Sequence, residues 1–135
     1  ELAPNLAALC GLCTTPSRIT GIAHLRGHET DRVAAIAAEL RGIGCEVNEL
    51  EDGLEIVPGP RTAHEWRSYE DHRMATSGAI VGLAIEGITV DDIHATSKTL
   101  PQFTQLWLDM LDQGALGEAD EAEDDGSVDL AAFSI

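Results

Sequence analysis

Positive charge is what this sequence has least of. Its 135 residues include 8 Lys and Arg, only one of them a lysine, against 24 Asp and Glu, for a net charge of −16. A chain that binds nucleic acid by neutralising phosphates needs the opposite balance, so no nucleic-acid partner is expected. Long apolar runs are missing too. No stretch approaches the roughly 18 residues of a membrane span, which excludes a transmembrane helix and with it a membrane partner. No basic segment leads into an apolar one near the start, so no export signal is visible, and the three cysteines then read as reduced thiols of a cytoplasmic protein. The first residue is Glu1 rather than Met, followed directly by a helical apolar pattern, so the sequence reads as a piece of something longer.

What is present suits a folded α/β domain: 44% hydrophobic residues and 13 glycines. The acid is unevenly spread. Residues 112–135 hold eight carboxylates and no base, which leaves only −8 on residues 1–111. The expected organisation is therefore a folded portion over 1–112 and an acidic, disordered tail over 113–135.

The folded portion alternates between helical and strand periodicity. Leu2, Leu6, Leu9, Cys10 and Cys13 recur at helical spacing, predicting a buried helix over 3–13 with Pro4 in its first turn. Arg18–Ile22 alternates like a strand. Val33, Ile36, Ala37, Leu40 and Ile43 form one face of a helix capped by Thr30 and stopped by Gly44. Asp52-Gly53 between Cys45–Leu50 and Leu54–Val57 predicts a hairpin. A short strand at Glu65–Tyr69, a helix from Asp71 to Glu86, a strand at Ile88–Ile93 and a last helix opened by Pro101 complete an α/β (α+β) pattern.

Three of the few cations sit where helix dipoles disfavour them. Arg32 and Arg73 lie in the first turns of two helices, and Lys98 just precedes a third. Each placement costs roughly 0.3–1 kcal/mol unless something negative compensates. One compensation is a phosphate or carboxylate ligand held by free backbone N–H groups and the arginines. The other is pairing of the arginines with Asp31 and Asp71. Glu29 and Glu70 nearby also suit an acid/base site. Cys10-Gly11-Leu12-Cys13 has Cys-x-x-Cys spacing, but a lone pair within an apolar helix reads as core packing rather than as zinc or redox chemistry. His64, His72 and His94 lack ligand-like spacing and read as structural.

The residues around these cations resemble a known family. Leu25-Arg26-Gly27-His28-Glu29-Thr30-Asp31-Arg32 is similar to the "LR-x-K-E-S/T-D-R" motif of 5-enolpyruvylshikimate-3-phosphate synthases. Asp71-His72-Arg73-Met74-Ala75 resembles their "DHRMA" motif, and Ser97-Lys98-Thr99-Leu100-Pro101 their "KSFP" motif. Glu39-Leu40-Arg41 through Gly44, then Asp52-Gly53-Leu54, resembles the "ELRKLGA…DGL" segment. The resemblance spans residues 1–111 and is to the C-terminal part of an actinobacterial type. A neighbouring family that transfers enolpyruvate to a UDP-sugar differs at the second motif.

The resemblance implies part of a two-domain fold of βαβαββ units, with the other domain of the same chain as a partner. It implies transfer of the enolpyruvyl group of phosphoenolpyruvate to the 5-hydroxyl of shikimate 3-phosphate with release of phosphate, in aromatic amino-acid biosynthesis, without metal or cofactor. Arg32, Arg73 and Lys98 match the positions that grip phosphoenolpyruvate. Glu1, Glu29 and Lys98 match catalytic positions, and Glu1, His24 and His28 face shikimate 3-phosphate. Two positions depart from the family pattern: His28 replaces a lysine, and Glu1 stands where an aspartate is usual. The alternatives to the transferase are a non-catalytic anion-binding module or a relative of the UDP-N-acetylglucosamine enolpyruvyl transferases, and 135 residues alone are expected to be inactive. A domain that draws strands from elsewhere would also leave apolar faces exposed.

Overall fold

The computed structural model describes residues 1–121. Helix α1 (Ala3–Gly11) is followed by β1 (Ser17–Ile19), a 3-10 helix at Ala23–Gly27, and α2 (Arg32–Gly42). The hairpin of β2 (Glu46–Glu49) and β3 (Leu54–Val57) leads to β4 (Glu65–Trp66) and α3 (His72–Gly82). Then come β5 (Thr89–Val90), a second 3-10 helix at Ile93–Lys98, and α4 (Phe103–Glu121). The mixed helix-and-sheet architecture is the one the periodicity implies.

β3 is the central strand of an antiparallel sheet ordered β1-β3-β2, with Ile19 and Glu49 both opposite Leu54. Leu54 and Ile56 point into the core while Val57 is exposed, the period-2 burial of a sheet covered on one side. The Asp52-Gly53 turn closes as expected, with Leu50 N–H donating to Gly53 O at 2.8 Å. Gly44 follows α2 at φ +106°, and a Cβ there would lie 1.9 Å from Pro60 O, so only glycine fits. β4 and β5 pair in parallel, Glu65 with Thr89 and Trp66 with Val90.

α2 and α3 supply the largest share of the core. Val33, Ile36, Leu40 and Ile43 pack with Leu25, Leu54, Ile56, Trp66, Met74 and Val81, all within 2% of complete burial. At roughly 1.5–3 kcal/mol for each large apolar side chain removed from water, this cluster is the main favourable term. Trp66 also donates its indole N–H to Met74 O at 2.9 Å, which ties β4 to the start of α3.

Several local expectations are corrected. α1 buries its small face, Ala7, Ala8 and Gly11, because it lies close against α2 and α3; Leu2, Leu6 and Leu9 are exposed. α1 ends at Gly11, so Cys13 lies beyond it and is exposed, while Cys10 is half-buried; the buried thiol is Cys45. The cap of α2 is Asp31, whose carboxylate accepts from Ala34 N–H, rather than Thr30. The first strand is cut to Ser17–Ile19 by Gly21 at φ +75°. The strands expected at Glu65–Tyr69 and Ile88–Ile93 are two residues each, and α3 ends at Gly82. α4 runs through Glu121, and the remainder of the acidic stretch lies outside the described residues. Besides the α1 leucines, Leu83, Leu106, Leu108 and Met110 are exposed, in line with the apolar faces expected of a partial fold. Among the described residues no helix is long and apolar enough to cross a membrane.

Candidate functional site

The site is built on the N-terminus of α3. Asp71, fully buried, caps that helix by accepting the Arg73 N–H at 2.8 Å. The same carboxylate holds the Arg32 guanidinium in a two-point contact, Nε to Oδ2 at 2.7 Å and Nη2 to Oδ1 at 3.2 Å. Arg32 opens α2, so this pair fastens the start of one helix to the start of the other. Arg32 Nη2 also donates to Glu29 Oε2 at 2.8 Å. The arginine side chain is 2% exposed. A charge so deep is tolerated only with compensating partners, and two carboxylates provide them.

Of the two compensations left open by spacing, carboxylate pairing is therefore realised for Arg32, through Asp71. Asp31 instead pairs with Arg26 at 3.0 Å, and Arg26 also reaches Glu49 at 2.7 Å. Pairing does not saturate the arginines. Among the described residues, Arg32 Nη1 and Arg73 Nε are buried without a hydrogen-bond partner. Such donors are costly to leave unmade.

Arg73 Nη2 contacts Glu1 Oε2 at 3.3 Å. That hydrogen bond, with the charges of Arg32 and Arg73 and against an opposing effect of burial, holds the Glu1 carboxyl below its usual range. Burial pushes the Asp71 carboxyl up, but the Arg32 guanidinium and the Arg73 N–H outweigh it, and Asp71 is held below the ordinary carboxylate range. Burial likewise disfavours the charged Arg32, and Asp71, Glu29 and Glu1 more than restore it.

Lys98 ends the second 3-10 helix, and its Nζ donates to the carbonyl of Glu70, one residue before Asp71. Arg32, Arg73 and Lys98 thus all attach to the Glu70–Arg73 segment. Glu29, 43% exposed, stands between Arg32 and His72, whose Nδ1 is 3.8 Å from Glu29 Oε1. His24 and His28 lie on and just after the first 3-10 helix, exposed, with ring centroids 6.4 Å apart in edge-to-face orientation. Arg73 also borders a cleft of 310 Å³ shared with Asn5, Thr76, Thr99, Phe103 and Trp107.

Glu29, Asp71 and His72 bring donor atoms within 4.8 Å of one another, a set that could hold a metal ion. The guanidinium of Arg32 already bridges both carboxylates, so a divalent ion would have to displace a buried, doubly paired arginine.

His72, structural by its spacing, turns its ring toward Glu29. A second polar centre has no counterpart among the sequence motifs. Glu39 on α2 is 3% exposed; its Oε1 accepts from Tyr69 OH at 2.8 Å, and its Oε2 accepts from Arg67 N–H at 3.1 Å and meets His64 Nε2 at 2.7 Å. Tyr69 and Glu70 have φ of 54° and 55°, two successive non-glycine residues in the left-handed region. Each such residue costs about 1–3 kcal/mol and persists only where the surroundings over-determine it. The one available signal was Glu39 itself, a carboxylate amid the apolar positions of α2.

The chain is similar to known proteins of one family. The model of the family described as EPSP synthase (3-phosphoshikimate 1-carboxyvinyltransferase) matches residues 1–107. A 3-phosphoshikimate 1-carboxyvinyltransferase of Kocuria rhizophila is 54% identical over 111 residues, covering 82% of this chain and 25% of that protein. One of Mycobacterium ulcerans is 54% identical over 114 residues, 83% of this chain and 26% of that protein. The crystallographic EPSP synthase of Acinetobacter baumannii superposes with a TM-score of 0.71 at 29% identity, over 77% of this chain and 25% of that one. The chain thus spans about a quarter of the length of the curated relatives it matches.

Proposed function

Because this chain belongs to the EPSP synthase family, we propose that it supplies part of the catalytic centre of a 3-phosphoshikimate 1-carboxyvinyltransferase. The proposed reaction moves the enolpyruvyl group of phosphoenolpyruvate to the 5-hydroxyl of shikimate 3-phosphate and releases phosphate. The observation that carries this reading is the gathering of Arg32, Arg73 and Lys98 on one segment at a helix N-terminus, with unpaired guanidinium N–H groups on both arginines.

Phosphoenolpyruvate carries a phosphate and a carboxylate. Two arginines and a lysine at a helix N-terminus neutralise both and orient C2 for attack. The hydroxyl adds to C2, giving up its proton to a base, while an acid protonates C3; phosphate then leaves C2 of the tetrahedral adduct as a base removes a C3 proton and the double bond re-forms. Lys98 and Glu29 are our candidates for the C3 proton, and Glu1 for the base at the hydroxyl. Glu29 suits its role because it is accessible yet held by Arg32. The Arg73 guanidinium beside Glu1 holds its carboxyl ionised, ready to accept the hydroxyl proton. His24 and His28 are assigned to the shikimate 3-phosphate side. We take residues 1–112 as the portion contributing to the transferase domain and assign the protein to the cytoplasm.

The test is phosphate release from phosphoenolpyruvate and shikimate 3-phosphate by the full-length protein. Arg32→Met, Arg73→Met and Lys98→Met are each expected to lower kcat/KM by about two orders of magnitude, as loss of a charge clamp does. The 135-residue chain alone is expected to be inactive. Turnover by the short chain at an enzyme-like rate, or wild-type activity in Arg73→Met, would refute the assignment. Binding of phosphoenolpyruvate without turnover by the full-length protein would instead favour the non-catalytic anion-binding module.

A further inference from the structure

We infer that Glu39 and Tyr69 are positioning residues for the cationic site, clamping a left-handed turn from which both Asp71 and the Lys98 anchor are hung. The inference rests on the transferase reading above and extends it to side chains on the far side of that turn.

Tyr69 and Glu70 occupy the left-handed region at φ 54° and 55°. Nothing in their side chains favours that conformation, so outside contacts must impose it. Three contacts from outside the turn do so, and one hydrogen bond within it closes it. Tyr69 OH donates to Glu39 Oε1 at 2.8 Å. Arg67 N–H, two residues earlier, donates to the other oxygen of Glu39 at 3.1 Å. Ser68 N–H donates to Asp91 Oδ1 at 2.8 Å, and Asp71 N–H closes the turn onto Ser68 O at 2.9 Å. Glu39 is itself fixed, being buried on α2 and gripped at 2.7 Å by His64, whose ring lies so close over Gly42 that a Cβ there would be 2.4 Å away.

The turn has two outputs. Its last carbonyl, that of Glu70, receives the Lys98 ammonium. The next residue, Asp71, holds Arg32 and caps α3 at Arg73. Because the turn is disfavoured when unsupported, removing the Tyr69–Glu39 bond lets Glu70 relax toward an ordinary φ. That rotation swings its carbonyl away from Lys98 and shifts Asp71. The effect falls first on the groups assigned to phosphoenolpyruvate; on the shikimate 3-phosphate side it reaches only Glu1, through its 3.3 Å contact with Arg73, and not His24 or His28.

The experiment uses the full-length enzyme carrying Tyr69→Phe, Glu39→Gln or Glu39→Ala, with steady-state phosphate release and thermal melting recorded for each. In Tyr69→Phe, the KM for phosphoenolpyruvate is expected to rise by about tenfold, the scale produced by a small misplacement of a positioning group. The KM for shikimate 3-phosphate should stay within about twofold, and the protein should remain folded at the assay temperature. Glu39→Gln keeps an oxygen that accepts from Tyr69 and should retain most of the wild-type KM; Glu39→Ala should not. A folded Tyr69→Phe enzyme with both KM values unchanged overturns the inference. So does a variant whose melting temperature falls while its two KM values move together, since that is a purely structural role. A wild-type enzyme with no turnover would sink the transferase reading and this inference with it, whereas an active wild type with an unaltered Tyr69→Phe variant sinks the inference alone.

Discussion

Replacing Asp71 tests whether the contact between α2 and α3 is the strut of this fold. Asp71→Ala removes both oxygens that meet Arg32, at 2.7 and 3.2 Å, and the acceptor that caps α3 at 2.8 Å. Arg32 is then left 2% exposed with Glu29 as its remaining carboxylate. Breaking a buried ion pair from one side costs about 3–5 kcal/mol, because the surviving charge stays buried. Loss of a helix cap adds about 1 kcal/mol. The two share one carboxylate, so the total expected is about 4 kcal/mol rather than their sum. At roughly 3 °C per kcal/mol for a chain of this size, melting should fall by about 12 °C. Asp71→Asn keeps the capping oxygen and should lie about 1 kcal/mol above Asp71→Ala. The two variants are compared with wild type by urea unfolding monitored by circular dichroism, with thermal melts alongside. The pH dependence supplies the sign. The folded Asp71 carboxyl lies below its unfolded value near ~3.9, so its stabilisation is present above that pH and is lost as acid carries the solution down through the folded value. The acid limb should therefore be shallower in Asp71→Asn. A loss below about 1 kcal/mol in Asp71→Ala would refute the reasoning, since it would mean water reaches and solvates Arg32.

Tyr69 is the only tyrosine, so absorbance at 295 nm during alkaline titration reports it alone. Burial, with Glu39 beside it, pushes its hydroxyl up to about 12, and the stabilisation it carries should be complete below about pH 10 and fade as pH rises through the folded value. Gly78→Ala should destabilise by about 2 kcal/mol in urea unfolding despite alanine's better helix propensity, as overpacking does; its Cβ would sit 2.6 Å from Trp66 Cδ1 and 2.8 Å from Val90 Cγ2. In thiol labelling of the folded chain Cys13 should react first, and Cys45, whose thiol burial pushes up, should react only on unfolding.

Helix and hairpin existence followed from periodicity because those signals are local. The Val33–Ile43 stripe and the Asp52-Gly53 turn each carry enough information within a dozen residues to specify α2 and the β2–β3 hairpin. Burial of α1 did not follow. Its leucine spacing and its Ala7–Ala8–Gly11 spacing both fit a helix, and the choice between them depends on how closely α2 and α3 approach, as the 2.6 Å gap between a Gly11 Cβ and Leu40 shows. The β4 and β5 strands read too long because their pairing partner is distant in sequence and only two residues of each align.

By itself the sequence determined the scarcity of cations, their placement at helix starts and the motifs around Glu29, Arg32, Arg73 and Lys98, all of them short-range facts written in residue order. Only the tertiary structure decided who partners whom. Arg32 could have met Asp31 one residue away, yet it binds Asp71, 39 residues on, because a buried guanidinium pairs with the carboxylate that is buried with it. The support of the Tyr69–Glu70 turn by Glu39, 30 residues upstream, is of the same kind. A strained backbone is held by contacts from a neighbouring helix, and local spacing has no record of which helix that will be.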